Sequence, residues 1–106
     1  MFDTFIQNRN FKSIDLHGFY VDEAIELVLM AIDYIHQEID RTNIVHLNQL
    51  MNVKRGQYAL YEVITGKGLH SLEGKSRLRP ALVNKFEEMG QYHEVMTDRI
   101  VIRIPL

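Results

Sequence analysis

Two short apolar runs, each broken off by glycine and polar residues, flank a long amphipathic stretch, and no other feature restricts the fold as much. Lys12 to Leu16 alternates as a strand should, with Ile14 and Leu16 on one side and Asp15 and His17 on the other, and Gly18 ends it. Tyr58 to Thr65 is almost continuously apolar and β-prone, which predicts a strand covered on both faces. Between them, apolar residues recur at Val21, Ala24/Ile25, Val28, Ala31/Ile32, Ile35 and Ile39, the spacing of a helix with one buried stripe. Strand, helix and strand in this order form a right-handed crossover with parallel strands. Both polar strand ends then share one edge of the sheet, where ligands of open α/β sheets bind.

The remaining chain is less uniform. Residues 41–57 read as a short extra helix or a partly ordered lid, with Lys54-Arg55-Gly56 as exposed loop. Gly66 to Ser76 is a polar loop punctuated by glycine; Pro80 suits the first position of a helix running to about Met89, and Gly90 stops it. Tyr92–Thr97 and Arg99–Ile104 read as two strands turning near Asp98. The expected order is β-α-β-α-β-β, an α/β fold. At 106 residues the chain is expected to be a single domain, residues 1–106, with its core at about 12–104 and a lead-in at 1–11 that packs through Phe2, Phe5, Ile6 and Phe11.

Composition excludes several classes. No apolar run approaches the length of a membrane span and no secretory signal opens the chain, so an intracellular protein, cytoplasmic or nuclear, without membrane association is expected. The absence of cysteine rules out disulfides and thiolate metal sites. Net charge is −2, yet its distribution is uneven: six acids and no base lie between Asp22 and Asp40, against five bases and one acid between Gly66 and Lys85. One region can therefore be cationic on a slightly acidic molecule.

That cationic region holds the chemistry. Gly66-Lys67-Gly68 offers accessible N–H groups and an ammonium, the makings of an anion-binding turn. The helix start at Pro80, with Ser71, Lys75, Ser76, Arg77 and Arg79 before it, adds unpaired donors and charge. Asp15 and His17, two apart on one strand, have Cβ atoms roughly 6–7 Å from each other on one face and can serve one phosphate, one water or each other; the plainer reading is a helix-capping carboxylate and a backbone-satisfied imidazole. Gly74-Lys75-Ser76 imitates a nucleotide-binding loop, but Leu69 stands where its first glycine belongs, and Ser71 spoils the dinucleotide pattern. No metal site is expected: His17, His70 and His93 could converge, but no ligand-spaced His pair on a helix and no carboxylate cluster supports one; a loosely held Mg2+ at Asp15 stays open and no tightly bound cofactor is expected. His36 and His46 are expected on the surface.

Ile14-Asp15-Leu16-His17-Gly18 before an amphipathic helix, then Thr65-Gly66-Lys67-Gly68-Leu69-His70-Ser71 and Gly74-Lys75-Ser76-Arg77-Leu78-Arg79-Pro80, together resemble the Smr (small MutS-related) domain family. The resemblance implies a two-layer α/β sandwich, similar to the carboxyl-terminal domain of bacterial translation initiation factor three. It also implies nucleic-acid binding, DNA or RNA, with nicking endonuclease or endoribonuclease activity in some members and none in others. Carried over, Asp15, His17 and His70 become the catalytic candidates, and Gly66, Lys67, Gly68, Ser71, Lys75, Arg77 and Arg79 the nucleic-acid contacts. In that scheme the Gly66–Gly68 N–H groups, Lys67 and Arg79 neutralise phosphate oxygens, His17 oriented by Asp15 moves a proton, and His70 complements it. The alternative is a non-catalytic module gripping the phosphate backbone, and a third reading is a protein-interaction surface of Tyr58, Tyr61 and Tyr92. Tyr20 replaces the family's usual hydroxyl at the helix start, and the 41–57 connection is longer than usual.

Overall fold

The computed structural model describes residues 11–66 and 78–106. Its elements in chain order are β1 (Ser13–Asp15), α1 (Val21–Arg41), α2 (Ile44–Leu50), β2 (Asn52–Lys54), β3 (Tyr58–Ile64), α3 (Leu78–Met89), β4 (His93–Val95) and β5 (Arg99–Pro105). The expected order is thus present, with the expected short helix and an unexpected strand inside the 41–57 connection. The sheet runs β1-β3-β5-β4, and β2 also pairs with β3. β1 lies parallel to β3, as the crossover requires, while the remaining pairs are antiparallel.

β3 organises the sheet. All seven of its residues pair with β5 on one edge, from Tyr58↔Pro105 to Ile64↔Arg99. The other edge is shared end to end: β2 takes Tyr58 to Leu60, and β1 takes Glu62 to Ile64. The expectation that β3 is covered on both faces is wrong, because burial alternates along it. Ala59, Tyr61 and Val63 face the core and register with Ile104, Ile102 and Ile100, all at most 1% exposed. Tyr58, Leu60, Glu62 and Ile64 lie on the open face and are only half-buried. Apolar side chains on that face made a one-sided strand look two-sided. The same alternation divides the tyrosines, since Tyr61 points inward and is fully buried whereas Tyr58 does not. Tyr61 therefore drops out of any surface reading. Its hydroxyl has no hydrogen-bond partner among the described residues, and burial pushes its phenol well up, so it stays neutral.

The helices cover the core face as one layer of a two-layer α/β sandwich. α1 buries Ala24, Leu27, Val28, Ala31, Ile32 and Ile35, and α3 buries Leu78, Leu82 and Phe86 against the same cluster. Phe11, from the expected lead-in, is buried and stacks on Tyr34 at 6.2 Å; Phe2, Phe5 and Ile6 lie outside the described residues. α3 is already helical at Leu78, so Pro80 is the third of its described residues and not its first position. In the connection, Arg55 and Gly56 adopt φ of 56° and 66° and Gln57 N–H closes the turn on the Lys54 carbonyl at 3.0 Å. Left-handed residues of this kind join antiparallel strands with compatible twist, which makes β2 a strand and not the start of a loop.

α1 ends on a carboxylate that hydropathy did not anticipate. Glu38 is 6% exposed and accepts hydrogen bonds from Arg41 Nε and Nη2 at 3.0 and 2.7 Å and from Thr42 Oγ1 at 2.9 Å. Burial by itself pushes this carboxyl up, but the Thr42 hydroxyl, the Arg41 guanidinium and the His46 charge together hold it below its ordinary value. A depressed folded pKa contributes stability that is complete above the unfolded value of about 4.5 and is lost as pH falls through the folded one. Glu38→Gln is accordingly expected to lower neutral-pH stability by on the order of 1 kcal/mol. The deficit should shrink as acid protonates the wild-type carboxyl, as urea unfolding across a pH series would measure.

Candidate functional site

The site begins where β1 stops. Leu16, fully buried, extends the pairing with β3 by donating its N–H to the Ile64 carbonyl at 2.8 Å. Gly18 then turns the chain at φ 86°, and Phe19 N–H closes on the Leu16 carbonyl at 3.1 Å. Between these anchors, alternation leaves Asp15 and His17 facing solvent on the open side of the sheet. One oxygen of Asp15, Oδ1, accepts from the His17 backbone N–H at 3.1 Å and meets its Nδ1 at 2.6 Å.

This geometry assigns the imidazole. A carboxylate at Nδ1 places a proton there, so the neutral ring presents Nε2 as a lone pair. Nε2 has no partner among the described residues. The two side chains are 69% and 53% exposed, and an exposed pair of this kind contributes at most about 1 kcal/mol to folding. Fold stability does not account for it.

The second motif arrives beside the first. Thr65 and Gly66 both donate their N–H groups to the Asp98 carbonyl, at 2.9 and 3.0 Å, and Arg79 Nη2 from α3 donates to the Gly66 carbonyl at 3.1 Å and the Thr97 carbonyl at 2.8 Å. The Asp98 carboxylate is in turn gripped by Arg99 through Nε and Nη2, while Nη1 of Arg99 reaches Glu62 at 2.6 Å. These hydrogen bonds, led by those to Asp98, push the Arg99 guanidinium further up and keep it charged. Gly66 thereby stands at φ 80°, and a Cβ added to it would lie 3.3 Å from the His17 Cβ. The glycine is favoured both by its backbone conformation and by the His17 Cβ, which leaves little room for a side chain beside it.

Asp15, His17, Gly66 and Arg79 are thus gathered at one end of β3. Lys67, Gly68, His70, Ser71, Lys75 and Arg77 lie outside the described residues. Two expectations change. Gly66 N–H is engaged by Asp98 and is not a ready phosphate donor, and Arg79 binds backbone carbonyls, so it fixes the glycine turn to α3 and the β4–β5 turn. His93 does not join the site: it registers with Ile102 on the core face, packs on Phe86 at 5.9 Å and bonds the Gln91 carbonyl through Nδ1 at 2.9 Å. His36 and His46 are exposed. Among the described residues no three His, Asp or Glu side chains cluster as a metal site, and no helix is long and apolar enough to cross a membrane. Sequence reasoning missed the part of Thr97 and Asp98, which act through backbone carbonyls that no side-chain pattern advertises.

No protein-family model matches the chain. It is 33% identical over 98 residues, 91% of its length, to an Smr domain-containing protein of Schizosaccharomyces pombe, and spans 39% of that protein. It is 31% identical over 70 residues to NEDD4-binding protein 2 of Homo sapiens, of which it spans 3%. Among solved structures, the Smr domain of NEDD4-binding protein 2 superposes with a TM-score of 0.61 at 26% identity, covering 88% of this chain and 84% of that one. The B3BP Smr domain superposes with a TM-score of 0.66 at 21% identity, covering 96% and 86%.

Proposed function

The chain belongs to the Smr domain family, and from that premise we propose that it is a nucleic-acid-binding domain whose Asp15–His17 pair cleaves phosphodiester bonds. The observation that carries this reading is the oriented imidazole, with Nδ1 held by Asp15 at 2.6 Å, Nε2 without a partner among the described residues, and the His17 Cβ close to the Gly66 backbone. A base with a fixed ring and a free nitrogen is what proton removal from a nucleophile needs.

On RNA, Nε2 of His17 takes the proton of a 2′-hydroxyl. Its oxygen bonds to phosphorus, the bond from phosphorus to the 5′ oxygen breaks, and that oxygen leaves protonated, with His70 as the candidate donor. The products are a cyclic phosphate and a 5′-hydroxyl end. On DNA, water takes the place of the 2′-hydroxyl. Asp15 favours the imidazolium that forms in either case. Lys67, Gly68, Ser71, Lys75 and Arg77 would supply the phosphate contacts, with the Arg79 charge behind them.

Purified protein incubated with supercoiled plasmid and with labelled single- and double-stranded RNA, with Mg2+ and with EDTA, tests the proposal. Nicked circles or defined fragments are expected. Tight, steeply salt-dependent binding without cleavage under either condition would instead establish a non-catalytic phosphate-gripping module.

A further inference from the structure

At the far end of β3 from Asp15, the open face carries a second constellation. The guanidinium carbon of Arg103 on β5 lies 4.7 Å from the ring of Tyr58 and 4.2 Å from that of Tyr92. Among the described residues no carboxylate lies within ion-pair distance of Arg103, whereas Arg99 on the same strand and face is neutralised by Asp98 and Glu62. The three residues line an open groove of about 350 Å3 that has no acidic residue in its wall, on a chain whose net charge is −2. Tyr92 is 49% exposed, so much of its ring is wet.

The arrangement is held in place. The Gln91 side chain donates from Nε2 to the Arg103 carbonyl at 2.7 Å and to the Tyr92 carbonyl at 3.0 Å, tying the segment after Gly90 to β5. An aromatic fixed before its ligand arrives loses little freedom on binding. Tyr58 and the site-proximal Ile64 are six residues apart on one strand and share the open face, which separates the groove from Asp15 by roughly 20 Å. A flexible strand lying along this face can touch both.

We propose that the Tyr58–Arg103–Tyr92 groove is a stacking site for an unpaired nucleobase, with Arg103 meeting the neighbouring phosphate, so that the domain engages single-stranded nucleic acid across its open sheet face. This rests on the nucleic-acid reading given above and specifies the form of its substrate. Aromatic faces bind bases of any sequence, and an unneutralised guanidinium between rings suits the polyanion that carries them. A base in a duplex has both faces covered and cannot use the groove.

The test is fluorescence anisotropy at fixed salt with three labelled probes: a short oligouridine, the same strand annealed to its complement, and a strand of abasic sites. Tyr92→Ala is expected to weaken oligouridine binding roughly 5- to 100-fold, leaving duplex and abasic binding within about twofold. Tyr92→Phe should retain wild-type affinity, and Tyr92→Leu, which keeps bulk without an aromatic face, should behave as the alanine; thermal melting of each confirms that it folds. Oligouridine affinity unchanged in Tyr92→Ala would overturn the stacking site while leaving nucleic-acid binding intact. Equal losses on all three probes would show that Tyr92 merely steadies Arg103 as a phosphate contact, which also overturns it. A wild-type protein that binds none of the probes would remove this proposal and the functional reading together.

Discussion

Alanine at His17 is expected to lower the strand-cleavage rate by about 10²–10⁴-fold, the usual contribution of a positioned acid–base group, while nucleic-acid affinity stays within a few fold. The two readouts separate because His17 offers a proton-accepting nitrogen, whereas affinity for a polyanion resides in the cations. Asp15→Asn sharpens the test. Asparagine keeps the size and one acceptor oxygen but brings no charge to the imidazolium and can present its amide to Nδ1 instead, favouring the wrong tautomer. It should fall between wild type and His17→Ala under single-turnover conditions. Cleavage that survives in His17→Ala at the wild-type rate would dismiss the imidazole as the base, whatever its hydrogen bond to Asp15.

Gly66→Ala should lose stability and cleavage at once. At φ 80° any side chain costs roughly 1–2 kcal/mol in backbone strain. The new methyl also arrives 3.3 Å from the His17 Cβ, so the histidine backbone must give way by a few tenths of an ångström. Acid–base groups are sensitive to displacements on that scale, and a further fall of about tenfold or more in cleavage rate is expected. Gly56→Ala is the control. Gly56 has a similar φ of 66° with nothing within 4 Å of a built Cβ, so it bears the strain without the collision. Denaturant unfolding should find both variants destabilised, Gly66→Ala at least as much as Gly56→Ala, and only Gly66→Ala defective in cleavage. If both cleave equally well, the closeness of Gly66 to His17 has no bearing on the chemistry.

What the sequence discloses depends on how locally each feature is caused. Asp15 and His17 were readable as solvent-facing partners because a strand has a period of two and Leu16 between them is unmistakably a core residue. α1 was readable for the same kind of reason, through its stripe from Ala24 to Ile35. Asn52-Val53-Lys54 was not: it contains one apolar residue, and it is a strand only because the edge of Tyr58–Leu60 is there to pair with. Glu38 occupies a stripe position that hydropathy assigns to the outside, and Arg41 and Thr42 supply the bonds that let it be buried. Gly66 announced an unusual backbone, but its partner Asp98 comes from the β4–β5 turn far along the chain, so the lost phosphate donor could not be foreseen. Family resemblance pointed to residues that the fold brings together at the end of β3, Asp15, His17 and Gly66 among them, because its motifs record such long-range arrangements without explaining them.

The end-to-end sharing of one β3 edge by β1 and β2 has a consequence for behaviour in concentrated solution. β3 has strand neighbours along both edges, β5 is paired on its outer edge with β4 over Ile100–Ile102, and the described sheet is otherwise bordered by β1, β2 and β4, each of three residues. In the described sheet, intermolecular strand addition would have to begin on one of these stubs or on the Arg103–Pro105 end of β5, each too brief to template a growing cross-β stack. Among the described residues, the sheet can therefore keep one face free of helices without inviting self-association through its margins.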